Sequence, residues 1–195
     1  TYAYNADASG RLLTKTAYSD AAWTTLVATY TYYNDANNRM ESKTLAAADA
    51  AGNTYYHYLN ENWNAQGYGR MDKSLLAVAA SGERSFTYAY NADASGRLLT
   101  KVSYSDAAWT TLVATYTYYN DANNYMEDKT LAAADAQGNV YYHFLNENWN
   151  AQGYGRMDKS RLGVAVAGER SFTYAYNADA NGRLLTRKSY SDVAW

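Results

Sequence analysis

The sequence predicts an all-β fold of tandem antiparallel β-hairpins. Three observations favour it. The chain repeats itself with a period of 86 residues, Tyr is abundant at 23 copies while Pro, Cys and Ile are absent, and short alternating segments are separated by turns that contain Gly or Asn. Copies this regular stack one structural unit along the chain. Because Tyr suits half-wet sheet faces better than a thick dry core, we expect an elongated or spiralling sheet of solenoid or shell type.

The repeat sets the domain organisation. The opening segment recurs from Thr87 and again from Thr173, where Asn181 replaces Ser9. The first two copies differ at only 11 of 86 positions. The resulting parts are repeat 1 (1–86) and repeat 2 (87–172), each with three hairpin units, and a partial repeat 3 (173–195). Because Trp195 falls inside a copy, we expect the chain to be a segment of a longer array.

Each long repeat holds three diverged copies of a shorter unit. A nine-residue frame starts at Tyr4, Tyr32 or Trp63, with Gly or Asn at its seventh place, Arg at its eighth, and Leu or Met at its ninth. Gly and Asn tolerate the positive φ that closes a tight turn. The frame therefore predicts a turn in each hairpin, with positive φ at the seventh place. The seventh-place residues are Gly10, Asn38 and Gly69.

Strands flank these turns. Residues 25–32 before the second turn and 39–45 after it show the period-two alternation of a half-buried strand. A second set of turns, at 19–22, 49–53 and 81–83, closes the units on the far side. This pattern predicts six strands in every 86 residues.

The Ala-rich segment 44–51 leaves a helix open as an alternative, since Ala is the best helix former. The run is too short for a stable isolated helix, and it ends at Gly52 and Asn53, directly before a Tyr-rich segment. We favour a strand and a turn there.

The frame resembles the motif of the YD-repeat, or Rhs-repeat, family, which runs Tyr-any-Tyr-Asp-any-any-Gly-Arg-Leu. The residues at motif positions are Tyr4, Asp7, Gly10, Arg11 and Leu12 in the first unit, Tyr32, Asp35, Asn38, Arg39 and Met40 in the second, and Trp63, Gly69, Arg70 and Met71 in the third. The motif's second Tyr is Ala6, Asn34 or Ala65 here. The resemblance covers the whole chain because the unit does.

The resemblance implies spiralling sheets of β-hairpins that serve as scaffolds, as cell-surface proteins or as shells around toxins. Together with the repeat, it predicts a non-catalytic structural protein of a bacterial surface fibre, stalk or wall-associated array. We expect an extracellular or cell-surface location, with neighbouring repeats of the same or identical chains as partners. Two alternatives stay open, namely a glycan-binding adhesin repeat and a wall segment of a toxin-enclosing YD-repeat shell.

Charge and hydropathy exclude two classes of partner. The net charge is -2, and Lys and Arg are scattered among acidic and polar residues. Nucleic-acid binding needs a concentrated basic patch, so we expect no nucleic-acid partner. No apolar run approaches the ~20 residues that cross a bilayer, so we expect no membrane span.

Candidate metal and catalytic residues are few. His57 and His143 are the only histidines, and neither has a second ligand at metal-binding spacing. The segment 5–10 resembles the opening of a calcium loop, but its twelfth position is Thr16, and no copy places a carboxylate there. We therefore predict a turn at 5–10, a surface or stacking role for the histidines, and no metal, cofactor or catalytic residue.

Aromatic residues supply the candidate glycan platform, which consists of Trp23, Trp63, Tyr68 and Trp149, with Tyr55 and Tyr56 nearby. Flat rings can stack on sugar rings, but cross-strand aromatic pairing explains the same residues, and we favour pairing. The Arg that follows each turn is expected to bind turn carbonyls or carboxylates of a neighbouring unit, since guanidinium offers five donors in one plane.

Overall fold

The computed structural model describes residues 1–7, 9–93, 95–178 and 182–195. Asn181 and part of the third copy's turn lie outside the described residues. Regular structure in the described part of the chain is β-strand throughout. The strands are β1 (Tyr2–Tyr4), β2 (Leu12–Tyr18), β3 (Leu26–Tyr32), β4 (Met40–Leu45), β5 (Asn53–Tyr58), β6 (Met71–Ala80), β7 (Glu83–Tyr90), β8 (Leu98–Tyr104), β9 (Leu112–Tyr118), β10 (Met126–Leu131), β11 (Asn139–Phe144), β12 (Met157–Val166), β13 (Glu169–Tyr176) and β14 (Leu184–Tyr190).

The order of the described strands in the sheet is their order in the sequence, from β1 to β14. Successive strands pair antiparallel through hairpin corners, as β2 does with β3 and β3 with β4. The pattern of β2 to β7 recurs as β8 to β13, which confirms the prediction of six strands per repeat and of an all-β tandem-hairpin fold. Within the described residues, no helix is long and apolar enough to cross a lipid bilayer.

The Ala-rich segment 44–51 forms no helix. β4 ends at Leu45, and a turn closes where Gly52 N–H donates to the carbonyl of Asp49 at 2.9 Å. β5 starts at Asn53. The prediction of a strand and a turn is confirmed, because pairing with β5 offers the backbone hydrogen bonds that a short isolated helix cannot match.

The chain forms two compact units. Unit 1 consists of Thr1–Tyr88 and Tyr104–Thr111, and unit 2 of Ala89–Ser103 and Leu112–Trp195. In each unit, alternate corners fall at opposite ends of the strands. We call the end that carries the nine-residue frames the motif edge and the opposite end the far edge. In unit 1 the motif edge holds the corners at 5–11, 33–39 and 59–70.

The interior of each unit is thin and uses few large side chains. In unit 1, Ala28, Tyr58 and Phe86 are buried, and in unit 2 Phe144 and Phe172 are among the buried residues. The most deeply buried polar residues are serines, and they are hydrogen-bonded, as buried hydroxyls need to be. Those bonded to a far-edge carbonyl are Ser85, which donates to Asp106 O at 2.6 Å, and Ser171, which donates to Ala194 O at 3.0 Å.

Candidate functional site

In repeat 1, the frame residues at the motif edge close turns as predicted in two of the three hairpin units. Gly10 has φ 55° and Asn38 has φ 48°, so the seventh place does take the left-handed conformation there. At Gly69 that prediction is wrong. The third corner is longer, its positive φ values fall at Asn62 and Gly67, and a Cβ at Gly69 would overlap the carbonyl oxygen of Leu59. Gly69 is therefore required for a close backbone approach.

The Asp of the first frame holds its turn from inside. Asp7 accepts from the backbone N–H of Ser9 at 2.9 Å and from the side chain of Asn5 at 2.8 Å, and Arg11 lies 3.8 Å from it. The bonds from Ser9 hold the pKa of Asp7 below its usual range. The oxygens that suggested a calcium loop are thus used within the turn, which confirms the turn interpretation.

Side-chain amides join one hairpin to the next along the motif edge of unit 1. Asn38 Nδ2 donates to the carbonyl of Leu12 at 2.7 Å, while Asn38 Oδ1 accepts from Leu12 N–H at 3.0 Å. Asn5 Nδ2 donates to Asn34 Oδ1 at 2.9 Å. The Tyr33 hydroxyl donates to a β5 carbonyl at 2.6 Å. These bonds fix the spacing between neighbouring turns, a role that the sequence did not reveal.

Unit 2 repeats the same bonds with the same geometry. Asn124 Nδ2 donates to Leu98 O at 2.7 Å, and Asn124 Oδ1 accepts from Leu98 N–H at 2.9 Å. The Tyr119 hydroxyl donates to Phe144 O at 2.7 Å. The cross-hairpin bonds therefore belong to the repeat itself.

The arginines that follow the turns fall into three environments. Arg156 donates to the carbonyl of Asn177 at 3.3 Å, in the neighbouring turn, which confirms the predicted role for this residue. Arg11 pairs with Asp7 in its own turn. Arg39 lies over the Trp63 ring, 5.2 Å from its centroid. The backbone of Arg70, which directly precedes β6 at Met71, is also bonded, since its carbonyl accepts from Leu59 N–H at 2.8 Å.

Trp109 docks across strands at the far edge of unit 1. Its Nε1 donates to Phe86 O at 3.1 Å, its ring lies 5.9 Å from Tyr55, and Lys73 Nζ lies 5.8 Å from its centroid. In unit 2, Trp195 makes the same three contacts. These contacts are with Phe172 O at 3.0 Å, the Tyr141 ring at 5.7 Å and Lys159 Nζ at 5.1 Å.

The residues of the candidate glycan platform in unit 1 lie at opposite ends of the strands. Trp23 lies at the far edge of unit 1 with 65% of its area exposed, whereas Trp63 and Tyr68 belong to the motif-edge corner. Tyr68 packs on Tyr58 with centroids 4.7 Å apart. In unit 2, Trp149 stacks on Tyr125 at 4.6 Å. Aromatic pairing, the interpretation that we favoured, accounts for Tyr68 and Trp149.

The histidines lie in strands next to carboxylates. His57 Nδ1 is 2.5 Å from Asp72 Oδ1, and the Tyr33 ring meets His57 edge-on with centroids 6.5 Å apart. His143 pairs with Asp158 in the same way. Among the described residues, no three His, Asp or Glu side chains gather as a metal-ion site. His57 thus meets an aromatic ring by its edge, and the Asp72 partner adds to the surface or stacking role predicted from the sequence.

Lysine and tyrosine alternate in register across one face of the sheet, a feature that we call the lysine–tyrosine row. In unit 1 the paired residues are Lys15, Tyr30, Lys43, Tyr56 and Ser74, one from each of β2 to β6. In unit 2 the paired residues are Tyr116, Lys129, Tyr142 and Ser160, from β9 to β12. Lys129 Nζ lies 5.6 Å from the Tyr116 centroid, within cation–π range.

A cavity of about 410 Å³ opens on this row in unit 2, and we call it the aromatic cavity. Its lining residues are Tyr116, Met126, Lys129, Asp135, Tyr142, Phe144, Tyr154 and Met157. They come from β9 to β12 and from the corners at 132–138 and 145–156. The cavity therefore combines aromatic walls with one ammonium and one carboxylate.

The corner at 145–156 folds back to form one wall of the cavity. Met126 N–H donates to Gly153 O at 2.9 Å, and Met126 and Tyr154 form a parallel bridge. This contact places the Tyr154 ring 4.7 Å from that of Phe144. Gly155 permits the fold-back, because a Cβ there would overlap a carbonyl of the same corner.

The carboxylate of the cavity is held in place. Asp135 accepts from the backbone N–H groups of Gln137 and Asn139, each at 3.0 Å, and from the Tyr142 hydroxyl. Burial raises the pKa of Asp135, but these bonds outweigh it and keep that pKa below its usual range. Burial and the bond to Asp135 raise the pKa of Tyr142 to about 12. At neutral pH, Asp135 is therefore an anion and Tyr142 a hydroxyl donor.

The fold and its contacts define a tandem β-hairpin repeat protein. No protein-family model matches the chain, and no curated protein matches it. Among solved structures, a porin-like protein from Bacteroides uniformis is similar over 97% of this chain and 86% of that chain, at 13% identity and a TM-score of 0.30. A TM-score this low carries no information about the function of the present chain.

Proposed function

We propose that this chain is a non-catalytic structural repeat protein, a segment of a fibre, stalk or wall-associated array on the outside of a bacterial cell. The observation that carries the proposal is the recurrence of one set of contacts at the repeat period. Trp109 docks on Phe86 O and Tyr55, and Trp195 docks on Phe172 O and Tyr141 with closely similar distances.

Recurrent contacts between neighbours are what an extendable array needs. When each repeat contacts only the repeats beside it, stability is a sum of repeat terms and interface terms, so added repeats need no new kind of interface. The bond from Asn38 to Leu12 joins hairpins within repeat 1, and the docking of Trp109 on Tyr55 and Phe86 joins repeat 2 to repeat 1. Partners of this kind are neighbouring repeats of the same or of identical chains.

The polar groups of the motif edge support a scaffold in place of catalysis. The oxygens of Asp7 and the amides of Asn5 and Asn38 are engaged in bonds within and between turns. Side chains committed in this way stabilise the turns and the spacing between neighbouring hairpins. The same frame carries the likeness to the YD-repeat family, and the extracellular location follows from that likeness.

The proposal is tested by length. Chains built from two, four and eight copies of the 86-residue repeat are compared by small-angle X-ray scattering and by negative-stain electron microscopy. We expect the maximum dimension to grow by a constant increment for each added repeat, at constant cross-section. Particles that grow equally in all directions, or that keep a fixed diameter, would contradict the scaffold. Immunogold labelling of intact source cells tests the surface location separately.

A further inference from the structure

We propose that the aromatic cavity of unit 2 is a carbohydrate-binding site that takes a neutral pyranose ring. This inference does not depend on the scaffold proposal, because a structural array and a plain globular repeat would carry the same cavity. Its volume of about 410 Å³ lies within the ~300 to 1,000 Å³ of small-ligand sites.

The walls of the cavity are largely aromatic. Tyr116 and Tyr142 stand on either side of Lys129 in the lysine–tyrosine row, and Tyr154 closes the cavity from the folded-back corner. Phe144 is buried behind Tyr154. A ligand with an apolar flat face is favoured by such walls, and a pyranose offers one through its axial C–H bonds.

The two charged groups select the rest of the ligand. Asp135 is an acceptor held by three hydrogen bonds, and the ammonium of Lys129 is a donor at the same cavity. Together they match the hydroxyl groups of a sugar ring, of which one donates to the carboxylate and another accepts from the ammonium. Within the lining the one cation balances the one anion, and the further ammonium of Lys101 lies over the Tyr116 ring, 5.0 Å from its centroid.

A quaternary ammonium is the other ligand class that aromatic walls bind. Here the Lys129 ammonium already lies 5.6 Å from the Tyr116 centroid and belongs to the lining. A second cation in the same cavity would be repelled by it and would have only Asp135 as a counter-charge. The lining therefore favours the neutral sugar over choline-like ligands.

Repeat 1 carries the same residue types at all but one of the corresponding positions. Its residues are Tyr30, Met40, Lys43, Asp49, Tyr56, Tyr58, Tyr68 and Met71, with Tyr58 in the place of Phe144. The fold-back also recurs, since Met40 N–H donates to Gly67 O at 3.2 Å and Met40 bridges to Tyr68. Variants for a binding test therefore change both copies together.

The test uses the full 195-residue chain on an array of oligosaccharides that end in glucose, galactose, mannose or N-acetylglucosamine. The strongest binder is then titrated by calorimetry, with choline chloride as the cation probe. We expect Tyr68→Ala with Tyr154→Ala to weaken sugar binding by about tenfold or more, because one wall of the aromatic cavity and its counterpart in repeat 1 are lost. Lys43→Met with Lys129→Met, which removes the donor but keeps the stem, is expected to weaken it several-fold.

The matched control is Trp63→Ala with Trp149→Ala, which removes two exposed rings of the same corners without changing the cavity lining. We expect sugar affinity in this control within about twofold of the parent chain. Urea midpoints identify any variant that fails to fold, and the Lys→Met pair then decides the outcome. Three results would overturn the site: no sugar bound on the array, binding lost in the Trp pair but kept in the Tyr pair, or choline bound more tightly than every sugar.

Discussion

Trp23 and Trp109 occupy equivalent corners of unit 1, yet their surroundings differ. Both corners place the Trp at φ 57°, and both use an Asp to bind the next residues. Asp20 accepts from Thr25 N–H at 2.6 Å, as Asp106 does from Thr111 N–H. The Trp109 ring packs on Tyr55, whereas the Trp23 ring is 65% exposed.

The comparison separates what a corner does by itself from what its neighbours do. The backbone conformation of the corner is local, since it is the same at Trp23 and at Trp109. The docking of the Trp109 ring depends on Tyr55, Lys73 and Phe86, which belong to the hairpins that precede it. Side chains from the preceding hairpins therefore decide whether the Trp contributes to stability.

Removal of the docked Trp109 ring is expected to lower the free energy of unfolding more than any other change considered below. Trp109→Ala removes the contacts with Tyr55, Phe86 and Lys73, and we expect it to lower the free energy of unfolding by about 2 to 3 kcal/mol. Trp23→Ala is expected to change it by less than about 0.5 kcal/mol, because that ring is mostly exposed. Urea titration followed by circular dichroism measures both. Equal losses in the two variants would show that the docked ring adds nothing.

A second substitution separates local conformation from neighbour contact at the motif edge. Asn38→Gly keeps the positive φ but removes the bonds to Leu12, so we expect a loss of about 1 to 2 kcal/mol in the free energy of unfolding. Asn38→Ala adds the left-handed strain and is expected to cost about 1 kcal/mol more. If the Gly variant is as stable as the parent in urea, the amide bonds are not stabilising.

Lowering the pH tests the Asp carboxylate that the Trp23 and Trp109 corners have in common. Hydrogen bonds from Thr24 and Thr25 lower the pKa of Asp20 from 3.8 to about 2, and the same kind of bond, mainly from Thr111, lowers the pKa of Asp106. A lowered folded-state pKa gives stability that is present above pH 3.8 and lost as the pH falls towards 2.

We therefore expect Asp20→Asn and Asp106→Asn to flatten the decline of the urea midpoint over this acid range to a similar degree. Both residues are only half-buried, so the change is expected to be smaller than that of Trp109→Ala. Midpoints measured at several pH values between about 5 and 2.5 check it. Acid profiles parallel to that of the parent chain would refute the role of the two corners.

The contact to the corner Trp differs between the two repeats, and its replacement is expected to change the free energy of unfolding least. Arg39 covers Trp63 in repeat 1, whereas Tyr125 stacks on Trp149 in repeat 2. Cation–π and aromatic pairs of this exposure are of similar strength, so Arg39→Tyr is expected to change the free energy of unfolding by less than about 0.5 kcal/mol. A loss above about 1 kcal/mol in urea titration would show that Arg39 has a further partner.

Turn chemistry made much of the fold predictable from the sequence, because a positive φ is a property of one residue. Gly10 and Asn38 carry that signal in their residue type, since Gly lacks a Cβ and Asn tolerates the left-handed conformation. Gly69 does not follow the frame, since its corner is longer and folds back onto Met40, a tertiary contact that a local pattern does not encode. The bond from Asn38 to Leu12 joins residues 26 apart and depends on strand register.

The candidate site was harder to predict than the turns. Exposed Trp residues suggested a platform, but Trp23 and Trp63 lie at opposite edges of unit 1. The alternating Lys15, Tyr30 and Lys43 were visible in the sequence at spacings of 15 and 13 residues. Their meaning required the register that places them side by side, because β-strand pairing brings together residues whose separation depends on corner length.

Pairing in sequence order also bears on how such a gene can change. Each strand bonds to the strands just before and just after it, so gain or loss of a whole 86-residue block by unequal recombination leaves the neighbours that remain with partners of the same kind. The number of repeats in the chain can therefore change while each remaining strand keeps a partner of the same kind. Copies that differ at 11 of 86 positions are the trace that such duplication leaves.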